Sequence, residues 1–310
     1  MKTDELNNTL DTYQRDGVVI MNGLLDAELV TKLRQEGEAL RETFHDKYGS
    51  TSPIKTRGGW RLDIPPVNLV RSGGAPMAKG VGEVMNHPLI QASCDAILGS
   101  NWHATALVFD YRAPTGEPLP EESFQQGYPP AYYWHVDHGN PGLASPNIFT
   151  LRFQIYLNDT DFERGALGYV RGSQRLVKYA RKRLHEEGYE THVIDTRASL
   201  ITACEQLRQT KLGIAPEYEQ LLARFIDVVP QYDYADRQTA CEGGAGTVLM
   251  FDDTGMHRGN FVDTENRFIC RILCMPINLK SRFGTWTSAK NSFARLYYKN
   301  TLNEPYVSLL

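Results

Sequence analysis

The stretch Tyr132-Tyr133-Trp134-His135-Val136-Asp137 decides how this chain is read. Aromatic residues favour a strand, and a strand sets residues i and i+2 on one face. His135 and Asp137 can therefore point together at one metal ion, while the adjacent His138 points away. Gly139-Asn140-Pro141-Gly142 then ends the strand with turn residues. Far downstream, Gly243-Gly244-Ala245-Gly246 precedes the apolar run Val248-Leu249-Met250-Phe251, and His257 follows. A glycine turn, a buried strand and a His at the strand's far end suit a β-barrel that brings ligands to its mouth. Two imidazoles and a carboxylate make the facial triad typical of non-haem Fe(II) oxygenases. Three protein ligands on one octahedral face leave positions for a bidentate co-substrate and dioxygen.

Outward from the centre, the chain alternates between β runs and helical stretches. Residues 9–48 read as helix, short strand and helix. Asp16-Gly17 punctuates before Val18-Val19-Ile20-Met21, and Asp26 can cap the second helix. Residues 51–66 are rich in Gly, Pro and Arg and read as irregular. His87-Pro88 opens a helix that ends at Gly99. Strands are expected at 105–111, 148–157, 167–170 and 267–279, the last ending near Pro276. Residues 112–130 read as a loop that walls a pocket, with Tyr128 in it. The β pattern breaks between Arg175 and Ala240, where 176–185 and 218–229 look helical. That segment is too long for an ordinary loop. Residues 176–240 are expected to form a helical insertion, a lid within a single domain spanning 1–310. The basic run Arg175, Lys178, Arg181, Lys182 and Arg183 is expected to be a solvated helix face.

Composition narrows the classes. The chain has 310 residues and a net charge of −4, from 33 basic and 37 acidic side chains, so no global basic field favours nucleic acid. No apolar stretch has membrane-spanning length, and the N-terminal residues are too acidic and polar for a signal peptide. The five cysteines include no Cys-x-x-Cys pair, which argues against a disulfide framework and a thiolate zinc site. Cys270 and Cys274 read as buried thiols. The expectation is a cytoplasmic protein with a small-molecule substrate and neither nucleic acid nor membrane as partner. Its oligomeric state is not legible.

Several segments together resemble the phytanoyl-CoA dioxygenase-like family. They are Tyr13-Gln14-Arg15-Asp16-Gly17-Val18-Val19-Ile20, Trp134-His135-Val136-Asp137 and Leu157-Asn158-Asp159-Thr160 with Gly165-Ala166-Leu167. Arg171-Gly172-Ser173-Gln174 and the His257 segment followed by Arg267 complete the set. The resemblance implies a mainly β fold with flanking helices around a double-stranded β-helix, a jelly-roll of cupin type. It also implies Fe(II), 2-oxoglutarate and O2 as cofactors and co-substrates. Fe(II) would be held by His135, Asp137 and His257, and the distal carboxylate of 2-oxoglutarate by Arg267. Arg can pair with a carboxylate through two N–H groups where Lys cannot. Arg271 is the competing candidate, because an even spacing puts both arginines on one face of a strand. Many relatives carry a hydroxyl residue two after the distal His; here that residue is Gly259. No further catalytic residue is expected beyond the metal ligands.

The reaction the resemblance implies is hydroxylation of an unactivated C–H bond of a metabolite, with release of succinate and CO2. Asp137 argues against halogenation, which needs a small residue there. Desaturation and oxidative cyclisation stay open because they depend on substrate placement. Tyr133, on the metal-facing side by alternation, and Tyr128 are expected to touch the substrate. A zinc hydrolase using His135, Asp137, His138 and His257 is the alternative from another class. It is weakened by Tyr133, which stands where familiar hydrolase clusters have a further His. A barrel that binds without catalysing is the third reading, and the intact triad with Arg267 weighs against it.

Overall fold

Alternation along the strands sets the architecture. In the strand Arg267–Pro276, Phe268, Cys270, Ile272 and Cys274 join one core, while Arg267, Ile269, Arg271 and Leu273 face the other way. In Leu151–Tyr156, the residues Leu151, Phe153 and Ile155 join the same core, and Arg152, Gln154 and Tyr156 oppose them. The computed structural model describes residues 3–48, 59–64, 75–99, 102–114, 134–137, 151–189, 194, 196–211, 213–228 and 237–276.

The strands are β1 (Val18–Met21), β2 (Trp60–Ile64), β3 (Trp102–Arg112), β4 (Leu151–Tyr156), β5 (Leu167–Tyr169), β6 (Ala240–Cys241), β7 (Val248–Asp252), β8 (His257–Gly259) and β9 (Arg267–Pro276). They form a large sheet in the order β1-β7-β4-β9-β3-β2 and a small one in the order β6-β5-β8, with antiparallel pairing throughout. This is a jelly-roll arrangement. Between the sheets, Tyr156, Tyr169, Leu249, Phe251 and Ile269 are fully buried or nearly so. Tyr156 ties the sheets together: its hydroxyl donates to Cys241 O (2.7 Å) and accepts from Leu167 N (3.1 Å). Gly246 turns the chain into β7 with φ +86°, and a Cβ there would meet Leu25 O at 2.3 Å.

Among the described residues, four helices cover the outer face of the large sheet: α1 (Thr3–Asp16), α2 (Ala27–Tyr48), α3 (Lys79–Met85) and α4 (Pro88–Leu98). Leu33 and Leu40 of α2 and Ile90 of α4 are fully buried against Phe109, Phe153 and Ile272. Asp26 caps α2 by accepting from Leu29 N (2.8 Å), as the sequence predicts. His87 caps α4, with Leu89 N donating to Nδ1 at 3.3 Å.

Among the described residues, three helices occupy the segment after β5: α5 (Ser173–Glu186), α6 (Arg197–Arg208) and α7 (Pro216–Val228). The sequence predicts the first and last. It misses α6, whose start is marked by Thr196 and Ser199 capping one another. These helices enclose a small core of their own that includes Leu176, Leu200, Leu207 and Phe225, and it takes in Trp134, Val136 and Met256.

Three expectations need correction. Residues 60–64, read as irregular, are strand β2, because Trp60, Leu62 and Ile64 alternate with Arg61 and Asp63 and fill the outer core. His257 is not at the far end of β7: that strand ends at Asp252, a tight turn follows, and His257 opens β8 in the small sheet. His135 forms isolated bridges to His257 and Thr196 rather than lying in a regular strand. Tyr128, Tyr132, Tyr133 and His138 lie outside the described residues, as does most of the 112–130 loop.

Candidate metal centre

The backbone builds the centre first. His135 N donates to His257 O (3.0 Å), and His257 N donates to His135 O (2.9 Å). This reciprocal pair holds the two imidazoles with ring centroids 4.5 Å apart. Asp137 N donates to Asp253 O at 3.1 Å and brings the carboxylate to the same point. One ligand atom from each of His135, Asp137 and His257 then lies within 4.8 Å of the others. His257 Nε2 is 3.3 Å from Asp137 Oδ2, and His135 Nε2 is 3.7 Å from Asp137 Oδ1.

The ring of His257 is oriented from behind. Its Nδ1 lies 2.8 Å from Gly255 O, a carbonyl that can only accept. Nδ1 therefore carries the proton, and Nε2 presents its lone pair to the site. Two such imidazoles and one carboxylate suit a borderline first-row ion, and the set is poor for Ca(II) or Mg(II), which want oxygen ligands. Burial alone would raise the pKa of Asp137, but the Arg152 guanidinium beside it outweighs burial and holds the group well below the usual carboxylate range. Asp137 is thus ready as an anionic ligand.

A cavity of about 270 Å³ opens from these ligands into the space between the sheets. Its wall is the inner face of the large sheet: Arg61 and Asp63 of β2, Arg112 of β3, Arg152 and Gln154 of β4, and Arg267 and Arg271 of β9. Leu167 and Gly259, opposite one another in the small sheet, form the other side. Gly259 contributes no hydroxyl. Arg152 ion-pairs with Asp137 and donates from Nε to Asp253 Oδ2 at 3.2 Å. Arg267, 2% exposed, donates to Gly165 O (2.6 Å) and stands 3.5 Å from Asp110 Oδ2. Arg112 holds the same Asp110 with two bonds of 3.1 Å. Burial would raise the pKa of Asp110, and Arg112 and Arg267 together hold it far below its ordinary value. Arg271 donates from Nε (3.2 Å) and Nη2 (2.7 Å) to Gln154 Oε1.

The structure thus unites His135, Asp137 and His257 and places both Arg267 and Arg271 on the cavity wall. Sequence reasoning missed Arg61, Asp110, Arg112, Arg152 and Gln154. The signal was present: a charged or amide residue at every second position of a strand whose other residues are apolar. The helical segment is also part of the centre. Its core buries Val136 and Met256, each beside a ligand, and Thr196 bridges His135. Lys178 of α5 stays exposed but pairs through its ammonium with the buried Asp252 at the end of β7. Trp134 is buried, with the Arg258 guanidinium 4.7 Å above its ring.

Known proteins resemble this chain in sequence and in fold. The family model described as phytanoyl-CoA dioxygenase (PhyH) matches residues 13–267. Dioxygenase hkm4 of Aspergillus hancockii is 27% identical over 182 residues, and the match spans 56% of this chain and 56% of that protein. Among solved structures, EctD from S. alaskensis in its apoform superposes with a TM-score of 0.54 at 14% identity, covering 89% of this chain and 78% of that one. EctD has also been solved with 2-oxoglutarate and 5-hydroxyectoine (TM-score 0.53, 15% identity, 89% and 77% covered). The non-heme alpha ketoglutarate dependent carbocyclase SnoK from nogalamycin biosynthesis superposes with a TM-score of 0.52 at 17% identity, covering 90% and 85%.

Proposed function

The chain belongs to the phytanoyl-CoA dioxygenase family, and on that premise we propose that it is an Fe(II)- and 2-oxoglutarate-dependent oxygenase of a small-molecule substrate. The observation that carries the reading is the convergence of His135, Asp137 and His257 at the mouth of an arginine-lined cavity. EctD and SnoK, which share the fold, are described with 2-oxoglutarate or as dependent on it. Iron with bound 2-oxoglutarate would supply oxidation of a C–H bond by O2, with succinate and CO2 released, and hydroxylation is the default outcome.

The chain's own residues have four tasks. His135, Asp137 and His257 hold the metal on one face and leave the side toward the cavity open. Gly255 O fixes the tautomer of His257. Arg152 keeps Asp137 ionised and tethers it to Asp253. Arg267 offers its guanidinium to the distal carboxylate of 2-oxoglutarate, and Gly165 O and Asp110 preset its orientation. Helices α5–α7 wall the centre and serve as its lid, with Tyr128 and Tyr133 as substrate contacts.

The test is succinate formation from 2-oxoglutarate by the purified protein in air, with and without Fe(II). Iron-dependent succinate that disappears in His257→Ala supports the reading. No succinate with iron bound contradicts it, and hydrolytic activity supported by Zn(II) alone would move the assignment to a hydrolase.

A further inference from the structure

The cavity carries more positive charge than the proposed reaction uses. Arg61, Arg112, Arg152, Arg267 and Arg271 line it. Four carboxylates answer them: Arg61 pairs with Asp63, Arg112 and Arg267 share Asp110, and Arg152 bridges Asp137 and Asp253. Fe(II) and doubly ionised 2-oxoglutarate add charges that cancel. Arg271 is left over. Among the described residues no carboxylate lies within ion-pair distance of it, and both its hydrogen bonds go to the neutral Gln154.

A half-buried guanidinium held only by an amide is costly unless an anion completes it. Burial lowers the pKa of Arg271 to about 9, and the nearby Arg61 and Arg152 add to the shift, so the group is charged at neutral pH but poorly compensated. Gln154 sits opposite it in register on β4 and holds Nε and Nη2. Most of the guanidinium's N–H groups therefore remain to donate. The same register puts Arg152 opposite Leu273, two residues along β9 on the metal side. Arg271 thus stands in the cavity near the metal ligands, on the same inner face as Arg267.

We infer that Arg271, oriented by Gln154, recognises a carboxylate on the substrate, so that the enzyme acts on small organic acids. This rests on the Fe(II)/2-oxoglutarate reading and on Arg267 being the anchor for the co-substrate. A planar carboxylate can take two parallel N–H bonds from the fork, and this geometry favours an acid over its neutral amide or ester.

The test uses protein loaded with Mn(II) and saturated with 2-oxoglutarate, with acetate labelled at its carboxyl carbon as the probe. Paramagnetic relaxation of the acetate carbon reports binding near the metal. 2-Oxoglutarate affinity is measured first in wild type, Arg267→Gln and Arg271→Gln. The inference predicts saturable relaxation in wild type and a dissociation constant for acetate about tenfold or more higher in Arg271→Gln. The affinity of Arg271→Gln for 2-oxoglutarate should stay near wild type, while Arg267→Gln loses it. Arg271→Lys keeps the charge but not the fork and should fall between; it also serves if Arg271→Gln does not fold, and acetate binding equal to wild type in Arg271→Lys would then overturn the inference. Acetate relaxation that is absent, or unchanged in Arg271→Gln, overturns it. So does loss of 2-oxoglutarate in Arg271→Gln with retention in Arg267→Gln, which would make Arg271 the co-substrate anchor. Failure of wild type to bind 2-oxoglutarate at all would instead refute the proposed function.

Discussion

The two faces of the large sheet are made by the same strands and do opposite work. Outward, Phe109, Phe153, Phe268 and Ile272 join the side chains of the N-terminal helices in an apolar core. Inward, one residue along each strand, the side chains are Arg61, Asp110, Arg152, Gln154 and Arg271. The outer face stabilises the fold by removing apolar surface from water. The inner face holds charge that costs stability and is tolerated because the outer face supplies the excess. In a strand of period two, function can be written on one side without disturbing the other.

The comparison can be broken most sharply at Phe153. It is fully buried on the outer face. Phe153→Ala should lose about 3–5 kcal/mol of stability. Urea unfolding checks this, and a loss below about 1 kcal/mol would mean that the outer face does not carry the fold.

On the inner face, Arg152 should couple stability to the metal. It is the guanidinium shared by Asp137 and Asp253. Arg152→Gln should destabilise the metal-free protein by about 3 kcal/mol or more, the cost of breaking a buried ion pair. A divalent ion at Asp137 replaces part of the lost charge. The rise in melting temperature on adding metal should therefore be larger in the variant than in wild type. Equal rises would separate Arg152 from the metal centre.

A third test lies where the outer layer carries its own buried acid. Glu36 of α2 accepts from Gly80 N (2.6 Å) and Val81 N (3.3 Å). Burial raises its pKa from 4.5 to about 7, against the pull of those two N–H groups. The unfolded chain ionises first as pH rises, so the stability this group contributes is present below about pH 4.5 and lost by about pH 7. The span is roughly 3 kcal/mol. Wild-type stability relative to Glu36→Gln should fall across that window, and parallel curves would refute the shift. The smallest effect belongs to the cap: Asp26→Ala should cost about 1 kcal/mol in thermal or urea unfolding, with no change in metal binding.

Much of this organisation is legible in the sequence. The grouping of His135, Asp137 and His257 is, because His-x-Asp and a His after a glycine turn and apolar run carry their chemistry in residue type and order. The strands at 151–156 and 267–276 and the cap at Asp26 follow from local pattern. Residues 60–64 escape because Gly, Pro and Arg around them mask a five-residue alternation. The placement of His257 escapes for a different reason: the turn between β7 and β8 moves the chain from one sheet to the other, and only tertiary pairing with His135 reveals it. The cavity's arginines were visible as residues, but not as a cluster. Arg61, Arg112, Arg152 and Arg271 come from four strands, and no single stretch contains their juxtaposition. The choice between Arg267 and Arg271 likewise needs partners rather than spacing: Asp110 and Gly165 for one, Gln154 for the other.

The most direct test of the central claim is anaerobic visible absorption of the purified protein on adding Fe(II) and then 2-oxoglutarate. The account predicts a new metal-to-ligand charge-transfer band after the second addition, absent in His135→Ala. Tight iron binding with no band in the wild type, or a band that persists in His135→Ala, would contradict it.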